Sequence, residues 1–390
     1  MACSVKPPWL GTTIALLCSL FRTCHLAVAI SMHECTRVPV NTFQAKAYIY
    51  WCSCQTGCMN FGIVGFGVFA EKRLIPGFNA SRSKIQAIFK TDIQAAEEKA
   101  VQYDIPAYYN DPSKLVHDND VEAVYIATPN KYHTDHVLLS ASAGKPIICE
   151  KPLATSYMDA RRIAACIKET GIPFMVGQCY RYSGSVRCIK NLIDQGTLGE
   201  VKLIRAHFSF NAEASTRNWI FDKDLAGGGA VFDVGVHLVD LVRFLLDGEF
   251  PCEINAVTRK YDVALSRSVE AGGNAVLVFG SGVVAMLSCS FETPYLTTLE
   301  VQGTERWLTA DYWNVLDHDV SVDVYSDKKL GEPEQSFSIN NENFYAKMID
   351  AFADRVENGS EPIGYPGIVD GVVNQKIIDE WIANTRMHHR

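Results

Sequence analysis

The sequence predicts an α/β N-terminal Rossmann domain with a doubly wound parallel sheet, followed by an α+β domain with a large, mostly antiparallel open sheet. Three features indicate this: a glycine-rich turn at residues 65–70, regular strand–helix alternation up to residue 180, and longer alternating strands beyond it. Repeated βα units require a parallel sheet, whereas successive alternating strands favour antiparallel pairing. We expect a nucleotide-binding domain over residues 59–180 and a substrate-binding and oligomerisation domain over residues 181–390. In the second domain we expect a sheet backed by helices at residues 229–246, 343–358 and 369–384. Its predicted strands lie at residues 201–210, 257–263, 274–279, 283–291, 298–302 and 320–325.

The glycine-rich turn follows a short apolar strand at residues 61–64 and has the spacing of a dinucleotide site. Gly65 permits the tight turn, Gly67 lets the backbone approach a pyrophosphate, and Ala70 is small enough for close helix–strand packing. The anion would rest on amides at the start of the following helix. The predicted cofactor contacts in this turn are Gly65, Gly67, Val68, Phe69 and Ala70.

The residue that closes the second strand, predicted at residues 84–89, distinguishes NAD from NADP. An acidic residue there binds the ribose 2′-hydroxyl, whereas a basic one accepts a 2′-phosphate. Lys90 follows this strand, with Thr91 beside it, and favours NADP. If the strand runs longer, Asp92 takes the position and NAD follows. The alternative is that Lys90 is an ordinary solvated lysine, so the predicted cofactor is NAD(P)(H), with NADP favoured.

Two groups of polar residues follow later strands, where ligands bind in parallel sheets. The strands are predicted at residues 121–127, 146–149 and 174–177, alternating with helices at 93–103, 113–117, 133–143 and 155–170. Thr128, Pro129 and Asn130 follow the first of these strands, with His133 shortly after, and Glu150 and Lys151 follow the second. All six are predicted to contact the cofactor. Because Lys151 directly follows a buried strand, a role in the site is favoured over a loop lysine on the rim.

Asp233 and His237 lie four residues apart after the glycine run of residues 227–229. On a helix this spacing places both side chains on one face. A helix start favours negative charge, so we expect an ionised Asp233 and a neutral His237 near pH 7. A neutral histidine beside a carboxylate suits general-base catalysis. The alternative is a helix-capping aspartate with a surface histidine.

These motifs together resemble the Gfo/Idh/MocA family of NAD(P)-dependent oxidoreductases, and the match runs from Met59 almost to the C-terminus. The resemblance implies that Lys151 lies beside the nicotinamide and the substrate hydroxyl. It also implies that Asp233 and His237 are catalytic partners, as in the inositol and polyol dehydrogenase branch, and that subunits pair through the open sheet as a homodimer or homotetramer. The motifs are Gly65-x-Gly67-x-x-Ala70, Ala127-Thr-Pro-Asn130 with His133, Cys149-Glu-Lys-Pro152, and Asp233-x-x-x-His237.

Oxidation of a secondary alcohol requires removal of a hydride and of a proton. The cofactor accepts the hydride. His237 would accept the hydroxyl proton, with Asp233 fixing its orientation, and Lys151 would donate to the substrate oxygen. Arg181 could bind a substrate oxygen and Trp219 could wall the sugar pocket; for both, a packing role is the equal alternative.

The first functional hypothesis is therefore an enzyme, a dehydrogenase or reductase of a sugar, a polyol or a sugar acid. A second is an NAD-dependent glycoside hydrolase on the same fold, marked by turnover without net NADH production. A third is a non-catalytic, nucleotide-sensing regulator, against which intact Lys151, Asp233 and His237 argue.

Composition limits the partners and the location. The net charge of −8 argues against nucleic acid as a partner. Seven of the thirteen cysteines precede Met59, and the other six are expected to be reduced thiols of a cytoplasmic protein. Cys52, Cys54 and Cys58 have no second ligand pair with zinc-like spacing, so no metal is expected.

Residues 1–58 are expected to be a poorly ordered extension or an upstream mis-start. The alternative is a cleaved signal peptide within residues 1–29, which would make the protein secreted or periplasmic. Arg22 and His25 interrupt the apolar run before it reaches membrane-spanning length, so no stable membrane association is expected.

Overall fold

The computed structural model describes residues 58–261, 267–328 and 331–384. The predicted N-terminal extension up to residue 57, its alternative as a signal peptide, and the pair Cys52 and Cys54 lie outside the described residues.

The first sheet has six parallel strands in the order β3-β2-β1-β4-β5-β6. This order is that of a doubly wound nucleotide-binding fold, so the predicted Rossmann sheet is confirmed. Only the short β3, which follows Pro106, was not predicted. The strands are β1 (Asn60–Val64), β2 (Lys84–Phe89), β3 (Ala107–Tyr109), β4 (Ala123–Ile126), β5 (Ile147–Cys149) and β6 (Phe174–Val176).

Helices cover both faces of this sheet, and side-chain caps fix several of their starts. Asp92, Asp111 and Ser156 each accept a bond from a backbone amide of the first helical turn, which explains why the helices begin where they do. The helices are α1 (Ile75–Ala80), α2 (Ile93–Gln102), α3 (Pro112–Val116), α4 (His133–Ser142) and α5 (Tyr157–Thr170). A π-helical turn, Ala70–Leu74, leads into α1.

The second sheet has eight strands in the order β14-β13-β12-β11-β7-β10-β9-β8. Its pairs are antiparallel except β7 with β10, which confirms the predicted mostly antiparallel sheet. Strands β12 and β14 were not predicted. The strands are β7 (Val201–Ser209), β8 (Pro251–Lys260), β9 (Glu270–Phe279), β10 (Val284–Ser290), β11 (Leu296–Gly303), β12 (Trp307–Asp311), β13 (Asp319–Tyr325) and β14 (Gln335–Asn340).

Five further α-helices follow β6 within the described residues, and one of them packs differently from expectation. The sequence placed the helix near residues 343–358 behind the antiparallel sheet, which is wrong. Phe352 of that helix instead packs on Phe61 of β1, with ring centroids 5.9 Å apart, because its apolar stripe faces the core of the first sheet. The helices are α6 (Gly184–Asp194), α7 (Lys223–Ala226), α8 (Val236–Leu245), α9 (Phe344–Asn358) and α10 (Ile368–Ala383).

The outer face of the second sheet carries polar and apolar side chains together. Met286 is 45% exposed and Val257 is 40% exposed, and both line a groove of about 560 Å³ with Arg205 and His207. Subunit pairing through this face stays a prediction. Among the described residues, the stretch Lys223–Leu245 is long and apolar enough to span a membrane, but 89% of its most apolar window is buried inside the fold, as in a core helix.

Candidate functional site

A cavity of about 1290 Å³ lies at the carboxyl ends of the parallel strands and reaches the inner side of the second sheet. It lies at the switch point between β1 and β4, where ligands bind in such sheets. Ala70, His133 and Arg181 are the predicted site residues that do not line it. The predicted residues on its wall are Gly65, Gly67, Val68, Phe69, Lys90, Thr128, Pro129, Asn130, Glu150, Lys151, Trp219, Asp233 and His237.

The glycine turn has the geometry that a dinucleotide cradle requires. Gly65 has φ of +101°, and a Cβ there would lie 2.7 Å from the Thr128 backbone nitrogen, so only glycine fits. A Cβ on Gly67 would meet no atom within 4 Å, because that side of the turn faces open space. Ala70 is fully buried, as its packing role requires. The residues therefore fit a nicotinamide dinucleotide, and the turn at Gly67 would hold its pyrophosphate.

The end of β2 settles which residue closes that strand. The strand ends at Phe89, so Lys90 takes the position, and its Nζ donates to the Phe66 carbonyl oxygen at 2.8 Å. Lys90, Thr91 and Asp92 all line the cavity. The carboxylate of Asp92 accepts bonds from the Gln94 and Ala95 amides at the start of α2, so the alternative in which Asp92 closes the strand is not realised.

His133 holds two loops together and does not reach the cavity, so the prediction that it contacts the cofactor is corrected. It is fully buried, and its ring nitrogens lie 3.0 Å from the Pro152 oxygen and 2.9 Å from the Thr128 oxygen. It thereby ties the loop after β4 to the loop after β5. His136, one turn later, lines the cavity instead, with Nδ1 3.1 Å from the Thr128 hydroxyl.

Glu150 is a buried carboxyl on the cavity wall. Its Oε1 accepts a bond from the Tyr125 hydroxyl at 2.6 Å, and its Oε2 accepts one from the Lys151 amide at 3.2 Å. Burial raises the pKa of Glu150 to about 7, against the opposing effect of the Lys151 charge. The group can therefore change its charge near neutral pH beside Lys151.

Lys151 and Asp233 form an ion pair across the cavity, although they are 82 residues apart in sequence. Lys151 Nζ lies 3.1 Å from Asp233 Oδ1 and 2.9 Å from the Asp233 carbonyl oxygen. Arg217 holds the same carboxylate with two bonds of 3.1 and 2.9 Å. Burial alone would raise the pKa of Asp233, but the charges of Arg217 and Lys151 hold it well below its usual range, so Asp233 is ionised.

His237 is buried between aromatic rings and not held by Asp233, which corrects the predicted pairing. Its ring centroid lies 4.5 Å from that of Tyr180 and 6.1 Å from that of Phe208, and its Nδ1 has no partner among the described residues. The carboxylate of Asp233 is turned to Lys151 and Arg217 instead. Burial, and then the charge of Lys151, lower the pKa of His237 well below its usual value, so the ring is neutral at pH 7, as expected, but for a different reason.

Arg181 is a structural cation, which corrects its assignment as a substrate ligand. Its side chain is 5% exposed and makes bonds of 2.6 and 2.8 Å to the Asp240 carboxylate. A second ion pair, 3.1 Å long, joins it to Asp370 of α10. With both carboxylates bound, the guanidinium fixes the segment after β6 against α8 and α10. The packing alternative holds for Arg181, whereas Trp219 lines the cavity.

Several residues of the site were missed by sequence reasoning because they lie outside the recognised motifs. Arg217 lies between β7 and α7, and Asn314 follows β12, so nothing local marks either one. Tyr180 directly precedes Arg181, and Arg73 lies on the helical turn after the glycine motif; both positions follow a Rossmann strand and could have been flagged on that ground. All four line the cavity.

Within the ranges that the structure describes, no group of three or more His, Cys, Asp or Glu side chains is arranged to hold a metal ion.

Comparison with known proteins places the chain in one family. The family model described as "Oxidoreductase family, NAD-binding Rossmann fold" matches residues 59–178, and the GFO/IDH/MocA C-terminal domain model matches residues 186–309. The 1,5-anhydro-D-fructose reductase of Ensifer adhaerens is 27% identical over 310 residues, which cover 77% of this chain and 89% of that protein. The trans-1,2-dihydrobenzene-1,2-diol dehydrogenase of Bos taurus is 30% identical over 252 residues, or 63% of this chain and 72% of that protein.

Solved structures show the same architecture. The aldose-aldose oxidoreductase from Caulobacter crescentus, complexed with glycerol, superimposes with a TM-score of 0.75 at 25% identity and covers 84% of this chain and 97% of its own. A 3-ketoreductase from Actinomadura kijaniata, a point mutant in complex with TDP-benzene and NADP, also gives a TM-score of 0.75 at 25% identity and covers 85% of this chain and 98% of its own.

Proposed function

The chain belongs to the Gfo/Idh/MocA family of NAD(P)-dependent oxidoreductases, and from this membership we propose that it transfers hydride between the nicotinamide and a secondary alcohol of a sugar, polyol or sugar acid. The observation that carries the proposal is the convergence of Lys151, Asp233 and His237 on the cavity that also contains the glycine turn. The names of two relatives, a reductase of an anhydrosugar and an aldose oxidoreductase, support a carbohydrate substrate, and that of a third, a dihydrobenzenediol dehydrogenase, supports a substrate with a CH–OH group. The inositol and polyol branch stays a prediction.

The cofactor would be held by the glycine turn, the end of β2 and the loops after β4 and β5. When bound, the nicotinamide supplies the hydride acceptor or donor that no side chain can provide. Lys90 supports a preference for NADP, because it closes β2 and its ammonium group lies on the cavity wall. Asp92, which would favour NAD, is engaged by two amides.

Lys151 is proposed to bind the substrate oxygen. Its ammonium group has three N–H donors. Two of them face the Asp233 oxygens at 2.9 and 3.1 Å, which leaves one for the oxygen of the reacting carbon. Asp233, itself fixed by Arg217, therefore positions Lys151, and the charge of Lys151 stabilises negative charge that develops on the substrate oxygen.

His237 is proposed to exchange the hydroxyl proton. His237 lines the cavity, and its neutral ring can accept a hydrogen bond from the substrate hydroxyl near neutral pH. Burial and the nearby Lys151 charge make an imidazolium ion costly here, so the proton should not stay on His237 once the hydride has left. The rings of Tyr180 and Phe208 hold the imidazole in place of the expected aspartate.

Substitution of the two proton-transfer residues tests the proposal. We expect Lys151→Ala and His237→Ala to lower kcat by roughly 10²–10⁴, the worth of a general acid or base, with NADPH affinity changed by less than about 2-fold. Turnover is followed by absorbance of the reduced nicotinamide on a panel of sugars and polyols with NAD and NADP. Affinity is measured by fluorescence titration.

Two matched controls lie away from the cavity: Lys114→Ala removes an exposed lysine and His207→Ala removes a histidine on the outer sheet face. Neither should change kcat. Rates like those of the wild type in either site variant would contradict the catalytic assignment. Consumption of a glycoside without net NADH would instead indicate the glycoside hydrolase.

A further inference from the structure

Arg73 places a guanidinium group on the cavity wall without a counter-ion. It lies on the π-helical turn Ala70–Leu74 that follows the glycine motif. The nearby acid Glu71 is engaged by Lys99, with Nζ and Oε2 2.8 Å apart. Among the residues that the structure describes, Arg73 has no ion pair and no hydrogen bond. Its positive charge is therefore available to a ligand.

The charge of Arg73 acts on the end of the cavity where the proton-transfer groups lie. Burial raises the pKa of Tyr180, Tyr295 and Tyr345, and the charge of Arg73 opposes this shift in all three. Its electrostatic influence thus extends to the three hydroxyl groups. Because the Tyr180 ring is 4.5 Å from the His237 ring, Arg73 borders the pocket of the reacting carbon.

The carboxylates on the cavity wall cannot serve Arg73. Asp233 is shared by Lys151 and Arg217, and Asp92 is bound to backbone amides. Glu150 accepts bonds from the Tyr125 hydroxyl and the Lys151 amide. A neutral sugar hydroxyl brings no charge to match a guanidinium, whereas a carboxylate or phosphate accepts two parallel bonds from it. We propose that the substrate carries an anionic group, as in a sugar acid or a sugar phosphate, and that Arg73 binds that group. The inference rests on the proposed function, since it assigns the substrate class of the same site.

The cofactor phosphates are expected away from Arg73. The pyrophosphate is expected over Gly67, at the start of the helix, and Arg73 lies six residues further along the chain. Loss of the Arg73 charge should therefore affect the substrate and not the nucleotide.

The test compares substrates that differ in charge: glucose, glucuronate and glucose 6-phosphate, and sorbitol with gluconate. We expect Arg73→Gln to lower kcat/KM for the preferred anionic substrate roughly 10–100-fold, because that is what loss of a charged hydrogen bond costs. For the neutral substrates, kcat/KM should change by less than about 2-fold. Arg73→Lys should recover part of the loss. The matched control is Lys72→Gln, which removes an exposed charge from the same turn outside the cavity and should change neither value.

Binding measurements without turnover complete the test. Calorimetry on the protein with NADPH, which cannot accept a hydride from the alcohol, should show that Arg73→Gln weakens binding of the anion, and the carboxylate and phosphate arms identify which anion is bound. Equal losses for neutral and anionic members, or a loss of NADPH affinity in place of anion affinity, would overturn the inference. If the protein turns over only neutral sugars, the anion site is refuted and the proposed function stands. If it neither binds nor turns over any substrate of the panel, both the anion site and the proposed function are refuted.

Discussion

Replacement by alanine should have different effects at the two glycines of the dinucleotide turn: at Gly65 it should lower stability, and at Gly67 it should weaken cofactor binding. Gly65 has φ of +101°, and an added Cβ would lie 2.7 Å from the Thr128 backbone nitrogen and 2.8 Å from the Ala127 carbonyl carbon. These are backbone atoms that a rotamer change cannot move. Gly67 has open space around the added Cβ and an ordinary φ, so the folded protein without ligand should tolerate the methyl group.

The magnitudes follow from these contacts. Backbone strain at a φ that only glycine favours costs about 1–3 kcal/mol, and overpacking adds about 1–3 kcal/mol, so Gly65→Ala should lower the free energy of unfolding by about 2–6 kcal/mol. Gly67→Ala should leave that free energy unchanged within about 0.5 kcal/mol. Its methyl group would occupy the space expected for the pyrophosphate. This overlap should cost about 1–3 kcal/mol of binding free energy, which weakens NADPH binding roughly 5–150-fold.

Urea denaturation followed by circular dichroism gives the free energies of unfolding, and fluorescence titration gives the dissociation constants for NADPH. Each variant serves as the control for the other, because both add one methyl group within the same three-residue turn. A stable Gly65→Ala variant would refute the steric argument. A Gly67→Ala variant that binds NADPH like the wild type would refute the placement of the nucleotide over this turn.

Two further predictions concern charge on the cavity wall. Because burial raises the pKa of Glu150 from 4.5 to about 7, the folded state holds a proton that the unfolded state releases, and stability falls as the pH rises through this window. Between about pH 4.5 and pH 8, the free energy of unfolding should fall by about 3 kcal/mol more in the wild type than in Glu150→Gln. The glutamine is a suitable control because it can still accept the bond from Tyr125. If urea denaturation shows the same pH dependence for both proteins, the raised pKa of Glu150 is contradicted. Lys90→Asp should shift the NADP/NAD ratio of kcat/KM towards NAD by about 10-fold or more, and an unchanged ratio would show that Lys90 does not contact the ribose.

The fold was predictable because its determinants are local. Within residues 60–176, the spacing of buried apolar residues differs between strands and helices, so it can be read from short stretches of sequence. The predicted strand at residues 84–89, for example, matches β2. Strand β3 has three residues and β14 is largely exposed, so neither has a run of apolar residues to indicate it. Helix α9 has an amphipathic pattern, but this pattern does not indicate which of the two sheets its apolar face packs against.

The sequence by itself determined the parallel Rossmann sheet and the glycine turn, and it singled out Lys151, Asp233 and His237 as candidates, because turn geometry and residue period act over a few neighbouring residues. Only the tertiary structure decided the partners of those side chains. Lys151 reaches Asp233 across 82 residues, Arg217 takes the carboxylate that was expected to orient His237, and Arg181 turns away to Asp240. Such pairings depend on how distant segments pack. A buried charge is stable only when it is paired, so each side chain pairs with the opposite charge that the fold places nearest to it.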